Sequence, residues 1–378
     1  MRFIICCDSF KGTMTSHEVG LIIENSIKQL DQQADVKRLI ISDGGEGMLE
    51  ALTNLIPGKR IMCDVHNAWF EQVSAPLFLT DDEKTIYIEM AQAAGYHLKD
   101  KIDQPGLTTT LGVGELMKKA LDYSAEKIVI GCGGSATNDG GAGMMHALGV
   151  RFYDYHNQEF IPTGVTLSHI NRIDFSHIDK RVKEKDWVAL TDVSNPLYGK
   201  NGATYIYAPQ KGATPAMVEK MESGMIHYAS LISQYQAYDV SRKPGMGAAG
   251  GLSYGLHVLL NAKIKSGIDE ILDISNLDHI VHDYDYMILG EGSLDEQSLQ
   301  GKAVIGIARR YQHKIKKVVI VGQVLGDQKR YLDEGIDVIL ETNEKHLPFE
   351  EVKNHAKEDL KKTFEKWLKN MMKEEVTP

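Results

Sequence analysis

Residues with usable chemistry cluster in five short polar loops of this chain, each following an apolar run. The densest is Gly131-Cys132-Gly133-Gly134-Ser135-Ala136-Thr137-Asn138-Asp139-Gly140-Gly141-Ala142-Gly143-Met144, directly after Ile128-Val129-Ile130. Each glycine costs a regular element roughly 0.5–1 kcal/mol of backbone entropy. Six glycines in fourteen residues therefore point to a backbone that turns left-handed or lies against a ligand. A strand, a loop of bare N–H groups and a helix N-terminus together form an anion cradle, here expected at the amides of Gly133, Gly134 and Ser135. Asp139 is a secondary candidate, because a carboxylate beside phosphate needs a metal or a proton between them.

The other loops supply cations and carboxylates. Residues 3–7 lead to Asp8-Ser9-Phe10-Lys11-Gly12, where Lys11 is a point charge suited to phosphate or carboxylate and Ser9 flanks it. Asp43-Gly44-Gly45-Glu46-Gly47 brings Asp43, fit to act as base toward a hydroxyl or to hold Mg²⁺ that in turn binds phosphate. Thr191-Asp192-Val193-Ser194-Asn195 places Asp192 at a strand end, and Gly290-Glu291-Gly292-Ser293-Leu294-Asp295 repeats the pattern with Ser293 and Asp295. Ordinary turn chemistry accounts for any one of these loops. Five after apolar strands converge, in a parallel sheet, on one edge.

The elements that must position them alternate. Apolar runs at 3–7, 39–41, 286–289, 318–321 and 338–340 are followed by polar loops, and helical spacing is expected at 16–30 (capped by Ser16), 48–55 and 303–311. That is a parallel sheet with helices on its faces. The middle differs: 60–64, 73–79 and 85–89 alternate as antiparallel strands, and 150–153, 188–191 and 204–207 read as further strands. The expectation is an α/β protein with a flavodoxin-like parallel-sheet domain at 1–60 and 280–378 and a mixed α/β domain inserted at 61–279. Val352, Ala356, Leu360, Phe364, Trp367 and Met371 make 351–375 one amphipathic helix that packs on the sheet.

Composition removes several function classes. A net charge of −10 over 378 residues, without a Lys/Arg stripe, excludes a nucleic-acid footprint. No run approaches the ~18–20 apolar residues of a membrane span, and residues 3–7 are too short for a signal-peptide core. Cys6, Cys7, Cys63 and Cys132 lack zinc or CxxC spacing and read as reduced cysteines of a cytoplasmic protein. No GxxxxGK[ST] loop is present. Gly245–Gly250 fits GxGxxG without a strand before it; Gly131–Ala136 fits GxGxxA after one, leaving a dinucleotide site open, although Asn138-Asp139-Gly140-Gly141 interrupts the helix it requires. His17, His97 and His146 show no metal spacing and read as structural or surface residues.

Eight stretches in order, DSFKGTMTS (8–16), SDGGEG (42–47), EMAQAAG (89–95), TTTLGVGEL (108–116), GCGGSATNDGGAGM (131–144), TDVSNPLYGKNGA (191–203), GMGAAGGLSYGL (245–256) and GEGSLDEQSLQGK (290–302), resemble the bacterial glycerate kinases that phosphorylate glycerate with ATP. The resemblance implies a two-domain protein, one domain flavodoxin-like, and Mg²⁺-dependent transfer of the ATP γ-phosphoryl to a D-glycerate hydroxyl. The product it implies is 2-phosphoglycerate, with 3-phosphoglycerate the alternative. An NAD(P)-dependent oxidoreductase of a small hydroxy acid and a non-catalytic nucleotide sensor are the rival classes. Residue chemistry then suggests roles: Gly133, Gly134, Ser135 and Ser293 for the nucleotide, Asp192 and Asp295 for Mg²⁺, Asp43 for the acceptor hydroxyl, Ser9 and Lys11 for the substrate. The matched stretches contain no arginine, so the glycerate carboxylate is expected on Lys11, hydroxyls and amides; Arg151, Arg242 and Arg309 are near in sequence only. Homo-oligomerisation stays open at this level.

Overall fold

The computed structural model describes residues 1–10, 12–98, 104–236, 238–296, 298–300 and 303–376. The chain divides into two compact units, Met1–Ser42 with Ile268–Pro378, and Asp43–Gly267.

The first unit is built on five parallel strands in the order Val338–Glu341, Lys316–Val324, Tyr286–Leu294, Arg2–Cys7, Asp35–Arg38. Counted along the unit's own chain this is 2-1-3-4-5, the flavodoxin-like order, whose switch point lies between Arg2–Cys7 and Tyr286–Leu294. Phe3, Ile4, Ile5 and Cys6 are all fully buried, as a strand covered on both faces requires. Two strands depart from the sequence reading. The edge strand is the polar Asp35–Arg38, while Leu39 and Ile41 are buried beyond its end. Tyr286–Leu294 runs on through Gly290, Glu291 and Gly292, because Lys316–Val324 pairs with it as far as Ser293↔Gln323 and Leu294↔Val324.

Helix Ser16–Leu30 is capped by Thr15, not Ser16: the Thr15 side chain accepts from Glu18 N–H, and the Glu18 carboxylate accepts from Thr15 N–H, closing a capping box. The tail is two helices, Phe349–Val352 and Ala356–Val376, not one. Leu360, Phe364, Leu368 and Met371 of the second bury into the same core as Phe3, Ile5, Ile288 and Val318.

The second unit carries a six-stranded mixed sheet ordered Lys263–Lys265, Asp186–Leu190, Lys127–Gly131, Thr85–Glu89, Gln72–Thr80, Gly58–His66. The first four strands are mutually parallel; Thr85–Glu89, Gln72–Thr80 and Gly58–His66 continue antiparallel. A small antiparallel sheet of Glu159–Phe160, Arg151–Tyr153 and Arg172–Asp174 accompanies it. The stretch 204–207, read as a strand, is the helix Ala203–Tyr207. Its β-branched residues favour a strand locally, but buried Thr204 accepts a hydrogen bond from Asn138 Nδ2 at 3.1 Å, and this tertiary contact accompanies the helix. Helix Met48–Leu55 belongs to this unit because Glu89, at the end of its strand, accepts from Gly47 N–H at 3.1 Å and Leu49 N–H at 3.0 Å. A buried carboxylate thus holds N–H donors that a helix N-terminus leaves without an intrahelical partner.

Among the described residues no helix is long and apolar enough to cross a membrane. All four cysteines are buried and unbridged, and burial pushes the Cys6 and Cys132 thiols up to about 12, which keeps them protonated and unreactive.

Candidate active site

In the second unit, the loops that leave the four parallel strands gather at their C-terminal edge. The glycine loop leaves Lys127–Gly131 and is tied to its neighbours by backbone bonds: Cys132 N–H donates to Leu190 C=O at 2.9 Å, Tyr96 N–H to Gly134 C=O at 2.8 Å, and Ala136 N–H to Ala94 C=O at 2.9 Å. Gly134 sits at φ +67°, a left-handed turn that an L side chain strains to adopt. The N–H groups of Gly133, Gly134 and Ser135 donate to no other group among the described residues. Gly134 is exposed and Gly133 half-buried, so these amides are open to a ligand.

Asp43 and Asp192 arrive at the same edge. Gly267 N–H donates to Asp192 Oδ1 at 2.9 Å, and the Cα of Gly267 lies so close to the Asp43 carbonyl that any Cβ there would collide with it. Asp43 is half-buried, with Oδ1 accepting from Gly45 N–H at 3.0 Å and Gly45 in turn packed on Gly133. Two carboxylates and the Gly133 and Gly134 amides, with the buried Ser135 next to them, are therefore brought together on one strand edge.

Asp139 is drawn out of that chemistry. It is fully buried and accepts from Thr110 N–H at 2.7 Å, Thr110 Oγ1 at 2.8 Å, Gly141 N–H at 3.1 Å and Gly143 N–H at 3.2 Å. Burial raises its carboxyl above the usual range while these hydrogen bonds pull it back. It anchors the loop to the start of helix Ala142–Ala147 and to Thr110. That helix opens well beyond Gly131–Ala136, so the glycine turn does not feed a helix as a dinucleotide fingerprint requires.

The fold adds residues that sequence reasoning missed. Lys211 donates from Nζ to Ser135 Oγ at 2.7 Å and to Thr137 C=O at 2.8 Å. Its available signal was the pair Lys211-Gly212, which repeats Lys11-Gly12. Arg60, bound only to Thr53 Oγ1 among the described residues, lines a cavity of about 480 Å³ with Glu46, Glu89, Gln92 and His97. His97, itself exposed, lies 3.7 Å from the exposed Glu46 there.

The first unit carries the remaining candidates at its own strand ends. Asp8 N–H donates to Gly290 C=O at 2.8 Å and Ser9 N–H to Asp8 Oδ1 at 2.6 Å, which seats Ser9 at the switch point. Ser293 lies in the strand and not in a loop, paired with Gln323. Asp295 accepts from Ser298 N–H at 2.9 Å. Lys11 lies outside the described residues.

Among the described residues no group of three or more His, Cys, Asp or Glu is arranged around a metal position. Mg²⁺ with a nucleotide needs only one or two carboxylates besides the phosphates, and a strand-end aspartate such as Asp192, which accepts from Gly267 N–H, is a ligand type that fits that requirement.

Comparison with known proteins agrees across the chain. The model of the glycerate kinase family matches residues 3–372. A glycerate kinase of Bacillus cereus (strain ATCC 10987 / NRS 248) is 39% identical over 365 residues, covering 96% of either chain. A glycerate 2-kinase of Escherichia coli (strain K12) is 39% identical over 342 residues, covering 90% of each. A crystal structure from Salmonella typhimurium LT2, assigned as glycerate kinase 2, matches with a TM-score of 0.78 at 34% identity over 99% of both chains.

Proposed function

This chain belongs to the glycerate kinase family and is by that membership an ATP-dependent kinase, and we propose that it transfers the γ-phosphoryl of ATP to the 2-hydroxyl of D-glycerate with Mg²⁺. The observation that carries the reading is the meeting of the Gly133 and Gly134 amides, which donate to no group among the described residues, with Asp43 and Asp192 at one sheet edge. Similarity to a glycerate 2-kinase supports position 2 over position 3.

Phosphoryl transfer asks a protein mainly for positioning and charge neutralisation. The amides of Gly133, Gly134 and Ser135 receive phosphate oxygens. Asp43 aligns the acceptor hydroxyl and takes its proton as the new P–O bond forms and the bond to the ADP oxygen breaks. Asp192 and Asp295 would hold Mg²⁺, Ser293 would serve the nucleotide, and Ser9 and Lys11 would serve the substrate. Bound with the nucleotide, Mg²⁺ supplies neutralisation of phosphate charge.

A coupled ADP-release assay with MgATP and D-glycerate is expected to show glycerate-dependent turnover. Proton-coupled phosphorus NMR then reads the position, since a phosphate on C2 couples to one carbon-bound proton and one on C3 to two. Turnover without glycerate dependence, or none with any small hydroxy acid, overturns the reading, and a triplet in place of a doublet overturns position 2. Asp192→Asn keeps the acceptor for Gly267 N–H but loses the charge. It is expected to lower turnover about tenfold or more, partly recoverable by raising Mg²⁺; a Mg²⁺ titration superimposable on the wild type removes Asp192 from metal binding.

A further inference from the structure

Two lysines among the described residues are buried, and the protein neutralises them differently. Lys317 donates to the Tyr311 and Ile315 carbonyls at 3.2 and 2.8 Å and lies 3.5 Å from the Asp337 carboxylate. Lys211, 7% exposed, forms no ion pair among the described residues. Its two hydrogen-bond partners, the Ser135 hydroxyl and the Thr137 carbonyl, are neutral and both lie on the glycine loop.

An ammonium removed from water without a direct counter-charge is costly to keep in a folded protein. Asp139 is the carboxylate whose field acts on Lys211, but its oxygens are taken by Thr110, Gly141 and Gly143. Burial accordingly pushes the Lys211 ammonium down to about 7. On the same loop Thr137 Oγ1 and Asn138 Oδ1 are also buried without a hydrogen-bond partner among the described residues. The loop therefore holds a charge and polar atoms that the chain itself does not satisfy.

We propose that Lys211 is an anion-binding residue, its ammonium seated against Ser135 and Thr137 to supply the positive charge for phosphate groups received by the Gly133 and Gly134 amides. Bound phosphate completes the neutralisation that the protein leaves undone. This rests on the reading of the glycine loop as the nucleotide-phosphate site.

The test compares wild type, Lys211→Met and Lys211→Gln; the glutamine keeps hydrogen-bond donors and loses the charge. Losing the buried ammonium relieves its desolvation cost while losing its bonds to Ser135 and Thr137 opposes that gain, so both variants are expected to stay folded and to melt near the wild-type temperature without ligand. Their Kd for tripolyphosphate, and for MgATP, is expected to rise about tenfold or more. Calorimetry in two buffers of different ionisation enthalpy, near pH 8, is expected to show proton uptake on tripolyphosphate binding by the wild type and none by the variants. A folded variant that binds tripolyphosphate as the wild type does overturns the proposal, as does a lowered melting temperature with unchanged affinity. Should neither variant fold, absence of proton uptake by the wild type overturns it. The kinase reading is judged separately, by ADP release from the wild type. Glycerate turnover with Lys211-independent anion binding sinks the lysine proposal alone; Lys211-dependent anion binding without turnover sinks the kinase reading alone.

Discussion

Replacing Asp43 by asparagine is expected to lower kcat about a hundredfold or more and to leave the melting temperature where it is. The two outcomes separate because the substitution splits the residue's two jobs. The asparagine side chain still offers an oxygen to Gly45 N–H, the 3.0 Å bond that shapes the turn after Ser42. What is lost is the charge and the capacity to take a proton. General-base assistance by a positioned side chain contributes about 10²–10⁴-fold, so the loss falls on kcat while the KM for ATP changes little. The measurement is steady-state ADP release with D-glycerate and MgATP. A kcat within threefold of the wild type would leave Asp43 as a turn residue and nothing more.

The second large effect is on stability. Asp139→Ala strands four buried donors, two from Thr110 and one each from Gly141 and Gly143. Each orphaned group costs about 1–3 kcal/mol, and since neighbouring losses do not add fully, a total on the order of 4 kcal/mol is expected. That corresponds to roughly 10 °C in melting temperature for a unit of this size. Asp139→Asn fares little better, because its amide NH₂ would face the Thr110 or Gly141 donors. Thermal unfolding followed by circular dichroism checks both variants. If Asp139→Asn keeps its stability but loses turnover, Asp139 acts on the phosphates after all, and its assignment as an anchor falls.

The contrast between these two aspartates shows where the chain's own order of residues stops being informative. Both stand among glycines in a loop that follows an apolar run, and both suit metal or proton chemistry. Thr110, 29 positions before Asp139, makes one of them structural. Gly267, far along the chain from Asp43, helps place the other at an open edge. Lys211 is the same case in reverse. A lysine in a proline- and glycine-flanked turn carries no periodic signature, and its contact with Ser135 spans 76 positions.

What the sequence determined by itself is what neighbours along the chain decide. Apolar runs such as 3–7 and 128–130 became buried parallel strands, and the spacing of Leu360, Phe364 and Met371 became a helix face on the core. The order of motifs carried the family. Only the tertiary structure decided that 204–207 is helical, that Ser293 lies in a strand, and that Lys211 is buried without a counter-charge. The physical reason is shared. Propensity and periodicity are local, whereas strand pairing, desolvation and hydrogen-bond supply depend on groups brought from elsewhere in the chain, and these set whether a charged side chain anchors the fold or waits for a ligand.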